Sequence, residues 1–130
     1  MLFSAEWMQA FASAWNSEPD LKGELETIGF NSVIGYGVPD EPAPRGVLVV
    51  NNGAAVEAGA YGGQPLNWDL RAPEATWQAW LAKPPGMVSL GMAYTAGKLK
   101  FLVGDYAAMI KDPRMASPFI KSFQVMSRVK

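Results

Sequence analysis

Two adjacent residues in mid-chain, Asn52-Gly53, constrain the fold more than any other local feature. Asn-Gly favours the two-residue turn whose twist matches that of paired antiparallel strands, and both flanks here read as strands. Gly46 to Asn51 lead into the turn and Ala54 to Ala60 lead out of it. Upstream, Ile28, Phe30, Ser32, Ile34, Tyr36 and Val38 occupy every second position, the period of a strand with one buried face. Pro39 to Pro44 interrupt the chain between that run and the hairpin. The three strands are expected to form an antiparallel meander.

Around the meander the spacing predicts helices. Phe3, Trp7, Phe11 and Trp15 are four residues apart, one face of a helix capped by Ser4 and ended by Asn16-Ser17-Glu18-Pro19. A short turn near Pro19 to Leu25 is expected next. Leu66, Trp68 and Leu70 alternate with Asn67, Asp69 and Arg71 as a fourth strand, and Pro73 suits the first position of a helix whose Trp77, Trp80 and Leu81 share a face. Lys83-Pro84-Pro85-Gly86 stops it, and a short helix is expected over Met87 to Thr95. Leu99, Phe101 and Val103 alternate with Lys98 and Lys100 as an amphipathic fifth strand with the apolar set inward. Asp105 caps a helix from Tyr106 to Lys111, and a last helix is expected from Ser117-Pro118. No internal repeat, low-complexity tract or linker divides the chain, so 1–130 reads as one domain.

Composition then limits the chemistry. The 130 residues contain neither cysteine nor histidine. A Ser-His-Asp triad, a Cys-His pair, a His-rich zinc site and a disulfide are all excluded. No metal or cofactor is expected. The longest apolar run, Val47 to Val50, is far short of the roughly 18 residues a membrane span needs, so a soluble protein is expected. The first residues lack a basic segment ahead of an apolar one, and Ser127-Arg128-Val129-Lys130 is not a peroxisomal tail; a cytoplasmic location is the expectation.

Net charge is -1, yet residues 1–82 carry ten acids and three bases whereas 83–130 carry two acids and eight bases. Such asymmetry fits transient contact with an anionic membrane surface, or simply a solvated face, since Lys98, Lys100, Lys111 and Lys121 are dispersed. No nucleic-acid partner is expected. Gly91 and Gly97-Lys98 superficially resemble a phosphate loop, but the spacing is one residue too long and Leu99 stands where a hydroxyl would hold magnesium. No Gly-x-Gly-x-x-Gly follows a strand.

One enzymatic possibility survives. Asp69 with Tyr36 and Tyr94 would offer the acid–base groups that enolise a ketosteroid. Strand alternation, however, sets Asp69 opposite Trp68 and Leu70, facing solvent beside Arg71. The larger signal is the soft and aromatic surface of the second half, including Trp68, Trp77, Trp80, Met87, Met92, Tyr94, Met109, Met115, Phe119, Phe123 and Met126. Methionine adapts to irregular apolar shapes and is common on permissive binding surfaces. A protein-interaction module would use the same residues.

The segment Ala93-Tyr94-Thr95-Ala96-Gly97-Lys98-Leu99-Lys100-Phe101-Leu102-Val103-Gly104-Asp105 resembles the sterol carrier protein type 2 family, whose signature is an aromatic residue, Gly-Lys-Leu-Lys, then Gly-Asp opening a helix. The resemblance extends over nearly the whole chain by element order. It implies an α+β fold, a five-stranded, mostly antiparallel sheet with helices packed over one face and an apolar tunnel between them. It further implies non-catalytic binding, transfer or presentation of a fatty acid, acyl-CoA, sterol or phospholipid, with an enzyme of lipid metabolism as a possible partner. The proline-rich 39–44 segment and the missing peroxisomal signal depart from many eukaryotic members and suggest a stand-alone bacterial type. The expected tunnel lining is Ile34, Tyr36, Trp68, Leu70 and Phe101 from the sheet, Trp77, Leu81, Met87, Leu90 and Tyr94 from the following helices, and Met109, Phe119, Phe123 and Met126 from the last two. The final helix is expected to be a lid over the tunnel, with Phe119, Phe123 and Met126 on its inner face and Lys121, Arg128 and Lys130 toward solvent or a membrane.

Overall fold

The structure, a computed structural model, describes residues 1–129; Lys130, expected on the outer face of the last helix, lies outside the described residues. In chain order the elements are α1 (Ala5–Asn16), α2 (Pro19–Thr27), β1 (Ser32–Gly37), β2 (Gly46–Asn51), β3 (Ala54–Ala60), β4 (Trp68–Arg71), α3 (Glu74–Ala82), α4 (Met87–Thr95), β5 (Lys100–Val103), α5 (Tyr106–Ile110) and α6 (Pro113–Met126). The five strands form one sheet in the order β3-β2-β1-β4-β5. The meander β1-β2-β3 is antiparallel, β4 lies parallel to β1, and β5 is antiparallel to β4.

One face of the sheet carries Ile34 and Tyr36, with Leu48 and Val50 beside them on β2 and Trp68 and Leu70 on β4. The helices cover this face. Phe11 and Phe3 reach Tyr36 from the α1 end, and Trp77 of α3 packs against Phe3, Tyr36 and Phe123 of α6. The end of α1 is bonded to the hairpin. Trp15 Nε1 donates to the Gly53 carbonyl at 2.9 Å, and the Asn16 amide both donates to the Ala55 carbonyl and accepts from its N–H.

The opposite face departs from the sequence expectation. Gly35 and Gly37 point to it, and their lack of Cβ lets Pro44 lie directly on the strand. The proline-rich loop therefore folds over the back of the sheet. Asp69 and Arg71, expected at the surface, lie beneath it at 5% and 1% exposure. They form a two-point ion pair, Nε to Oδ1 at 2.6 Å and Nη2 to Oδ2 at 3.1 Å, and Arg71 Nη1 donates to the Val38 and Glu41 carbonyls. Alternation placed Asp69 correctly on the far face; what it did not reveal is that the loop covers that face.

Three other departures have local causes. Residues 19–27 form a helix, not a turn: Pro19 occupies its first turn, the Glu18 carboxylate accepts from Asp20 N–H, and Leu21 and Leu25 are buried one turn apart. That helix consumes the start of the expected first strand. It ends at Gly29, whose φ of 61° suits glycine, with Phe30 N–H returning to the Leu25 carbonyl and Gly29 N–H to Glu26. On β5 the register shifts between the pairs Leu70–Phe101 and Asp69–Val103, so Val103 turns to the back face and is exposed instead of inward. The fourth strand begins at Trp68 and not at Leu66, which precedes it and packs against Gly35 on the back face, whereas Trp68 faces the helices.

The last helix begins four residues earlier than expected, because Asp112 caps it and Pro113 fills its first position. It is also less of a lid. Phe123, Val125 and Met126 are buried in the common core, with Phe123 against both Trp77 and Trp80. Its basic residues are partnered too: Arg128 pairs with Glu18 at 2.8 Å and Lys121 approaches Asp20 at 3.9 Å. Part of the charge asymmetry is thus an internal match between α2 and α6.

Candidate functional site

Between the sheet and the helices lies an apolar hollow. Ile34, Tyr36, Trp68, Leu70 and Phe101 form its floor on β1, β4 and β5, and Trp15, Leu21, Leu25 and Phe30 close one side from α1, α2 and the turn after α2. Met109, Met115, Pro118, Phe119 and Ser122 of α5 and α6 form the roof. Within about 450 Å³ of non-atom space that includes its open mouth, the hollow has about 50 Å³ wide enough for water. At ~10–15 Å³ of such space per molecule, that admits only a few waters. A long chain could enter only if the roof gives way, and its two methionines are the side chains best suited to do so.

Local sequence explains how the walls are held. Trp68 lies against Gly104, where a Cβ would collide with the indole and where φ is 106°. The glycine of the Gly-Asp pair thus seats a cavity wall, while Asp105 caps α5 by accepting from Ala108 N–H at 3.0 Å. Gly97 ends α4 by the same two-bond pattern as Gly29, with Lys98 N–H bonded to the Ala93 carbonyl and Gly97 N–H to Tyr94. Leu99 then enters the core and Lys100 points outward.

Of the expected lining, Ile34, Tyr36, Trp68, Leu70, Phe101, Met109 and Phe119 surround the hollow. Trp77, Leu90, Phe123 and Met126 are buried in the core away from it, and Leu81 is half-buried against that core. Tyr94 stacks on Tyr106 with ring centroids 4.3 Å apart, and Met87 is exposed. The residues missed were those of α2 and its exit, Leu21, Leu25 and Phe30, together with Trp15, Met115, Pro118 and Ser122. Leu21 and Leu25 at i, i+4 behind Glu18-Pro19 were the available signal.

The cavity wall contains no charged side chain. Burial pushes the Tyr36 phenol well above its ordinary value of 10. Tyr36 and Asp69 lie on opposite faces of the sheet, and Tyr94 stands on α4, so the three groups considered for acid–base chemistry do not converge. Among the described residues no group of three potential metal ligands occurs.

Outside the cavity, α4 and the edge strand β5 expose large apolar side chains: Val88 at 76%, Met92 at 67% and Leu102 at 57%. Only Leu90 of α4 is fully buried. A groove with about 590 Å³ wide enough for water lies between α4 and α3, lined by Thr76, Trp80, Ser89, Met92 and Lys98 together with alanines of both helices. It is more open and more polar than the inner cavity.

Overall shape relates the chain to solved structures. A crystal structure of sterol carrier protein 2 superposes over 100% of both chains with a TM-score of 0.79 at 22% identity. The chain has the sterol carrier protein 2 fold. A conserved hypothetical protein of Thermus thermophilus, described in its solution structure as a candidate sterol carrier protein, matches 99% of this chain and 87% of its own, with TM-score 0.66 and 23% identity. A ubiquinone synthesis protein, UbiJ-SCP2, matches 92% and 90% with TM-score 0.58 and 13% identity. Neither a protein-family model nor a curated protein sequence matches the chain. In the sterol carrier protein 2 fold of this chain, the Gly97 to Asp105 segment joins α4, the edge strand and α5 at one end of the cavity.

Proposed function

We propose that this chain is a non-catalytic, cytoplasmic carrier that holds one lipid-like molecule in the hollow between sheet and helices. The observation carrying this reading is a wholly uncharged, aromatic- and methionine-rich cavity at the centre of a sterol carrier protein 2 fold. Apolar pockets with few polar groups are the usual form of lipid and small-molecule sites. Burying about 12 to 16 methylenes at ~0.8 kcal/mol each contributes roughly 10 to 13 kcal/mol. Association costs about 4 kcal/mol or more, and the remainder corresponds to roughly micromolar affinity. That range suits a protein that must also release its ligand.

The same reading gives the α4 and β5 surface a role. Val88, Met92 and Leu102 are exposed apolar residues in the half of the chain where bases outnumber acids, with Lys98 between α4 and β5 and Lys100 opening β5. Large exposed apolar surface marks contact sites, and the neighbouring lysines favour an anionic bilayer over a neutral one. The proposed role is delivery to or from such a surface, or to an enzyme of lipid metabolism.

A fluorescent fatty acid titrated against the protein tests the reading, because Trp15 and Trp68 line the cavity and report its occupancy. Saturable one-to-one quenching or energy transfer is expected, unaffected by chelators. Titrations without saturation by any acyl or sterol probe would overturn it. For the surface, co-sedimentation with phosphatidylcholine vesicles should rise when phosphatidylglycerol is included and fall in Met92→Asp. Equal sedimentation with both vesicle types would rule out the charge-assisted contact.

A further inference from the structure

Tyr36 is 3% exposed, and its ring is enclosed by Phe3, Phe11 and Trp77, none of which offers it an acceptor. Among the described residues its hydroxyl has no hydrogen-bond partner, whereas no sealed side-chain nitrogen or oxygen among them is left without one. The hydroxyl is therefore not wholly sealed, and Tyr36 is one of the residues that line the cavity.

The other polar side chains of the wall are already committed. Trp15 Nε1 donates to the Gly53 carbonyl at 2.9 Å, Trp68 Nε1 to Ser32 Oγ at 3.2 Å, and the Ser122 hydroxyl to the Phe119 carbonyl at 2.5 Å. One side-chain donor remains for whatever fills the cavity. A buried hydroxyl without a partner is costly, so a ligand that supplies an acceptor there gains relative to one that does not. The acceptor must also be uncharged, because no cation lines the wall to balance a carboxylate or phosphate.

Given that the cavity is the ligand site, as proposed above, we infer that the Tyr36 hydroxyl is its polar anchor, donating to a neutral oxygen of an otherwise apolar ligand. The ligand class is then alcohols, ketones or esters with a long apolar body, bound with the oxygen inward. An ionised head group, where present, stays at the mouth.

Ligands of one length that differ only in the oxygen test this: 1-decanol, 2-decanone and decane, each titrated against the unmodified protein and Tyr36→Phe, with tryptophan emission as the signal. The alcohol and the ketone should bind the unmodified protein more tightly than the alkane, and Tyr36→Phe should weaken both by roughly five- to fifty-fold. Decane should change less than twofold, which also shows that the variant is folded. The ketone can only accept, so its loss identifies Tyr36 as the donor. If all three bind but Tyr36→Phe affects them equally or not at all, the anchor is overturned while the cavity remains the ligand site. If none of the three binds the unmodified protein, the cavity reading fails and the anchor with it.

Discussion

The ring of Phe123 lies almost parallel to the indole of Trp77, with centroids 6.2 Å apart and planes inclined by 12°, and meets Trp80 edge-on at 5.5 Å. This stack joins α6 to α3 at the centre of the core. Phe123→Asp would bury an unpaired carboxylate there, a change of the kind that costs more than about 4 kcal/mol. Loss of the cooperative melting transition is expected, measured by circular dichroism. Phe119→Ala, at the cavity roof one turn earlier, should keep the transition and weaken ligand binding instead. A folded Phe123→Asp with impaired binding would restore the lid.

A double-mutant cycle probes the pair under the proline-rich loop. Arg71→Met leaves the Asp69 carboxylate buried without its partner, and a destabilisation of about 3–5 kcal/mol is expected in urea denaturation. Asp69→Asn combined with Arg71→Met should cost clearly less than the sum of the two single changes, by about 1 kcal/mol or more. Strict additivity would mean that the two side chains do not interact.

Gly104 combines a positive φ with a close approach to Trp68. Gly104→Ala should destabilise the fold by about 1–3 kcal/mol and shift tryptophan emission, since the indole must move from the cavity wall. An unchanged melting point and spectrum would show that the strand end has room to spare.

The tie between α2 and α6 carries a pH signature. The Glu18 carboxyl is held below its ordinary value of 4.5, first by the Asp20 backbone N–H it accepts and then by Arg128. A depressed carboxyl stabilises the folded state fully above its ordinary value and loses that contribution as pH falls through its folded value. Melting curves of the unmodified protein and Glu18→Gln should differ by a constant offset above about pH 5 and converge in more acid solution. An offset persisting undiminished at about pH 2 would show that ionisation is not its source.

Much of this architecture was legible because its signals are local. Asn52-Gly53 marked the hairpin, Asp105 marked the start of α5, and the short helix expected over Met87 to Thr95 has those limits in α4. The failures share a different cause. Leu21 and Leu25 are two apolar residues in an otherwise polar stretch, too few to announce a helix by periodicity. Asp69 is buried by a loop some thirty residues earlier in the chain, and Val103 is turned outward by a bulge in its pairing with β4. For the site, strand alternation found the floor, whereas the helical faces gave apolar residues without saying which belong to the core and which to the cavity.

The pairing of β1 with β4 also orders events during assembly. β1 sits at the centre of the sheet but comes first in sequence, and its second neighbour is not available until the chain has reached Trp68. A nascent chain that has made only the meander presents β1 as a bare edge, with α3 and its Trp77, which packs on Tyr36, still to come. Such an edge is a template for pairing with another chain. The stretch of synthesis between β3 and β4 is thus the interval in which this edge is open, and β4 is what covers it, leaving the short, lysine-bearing β5 as the outer strand.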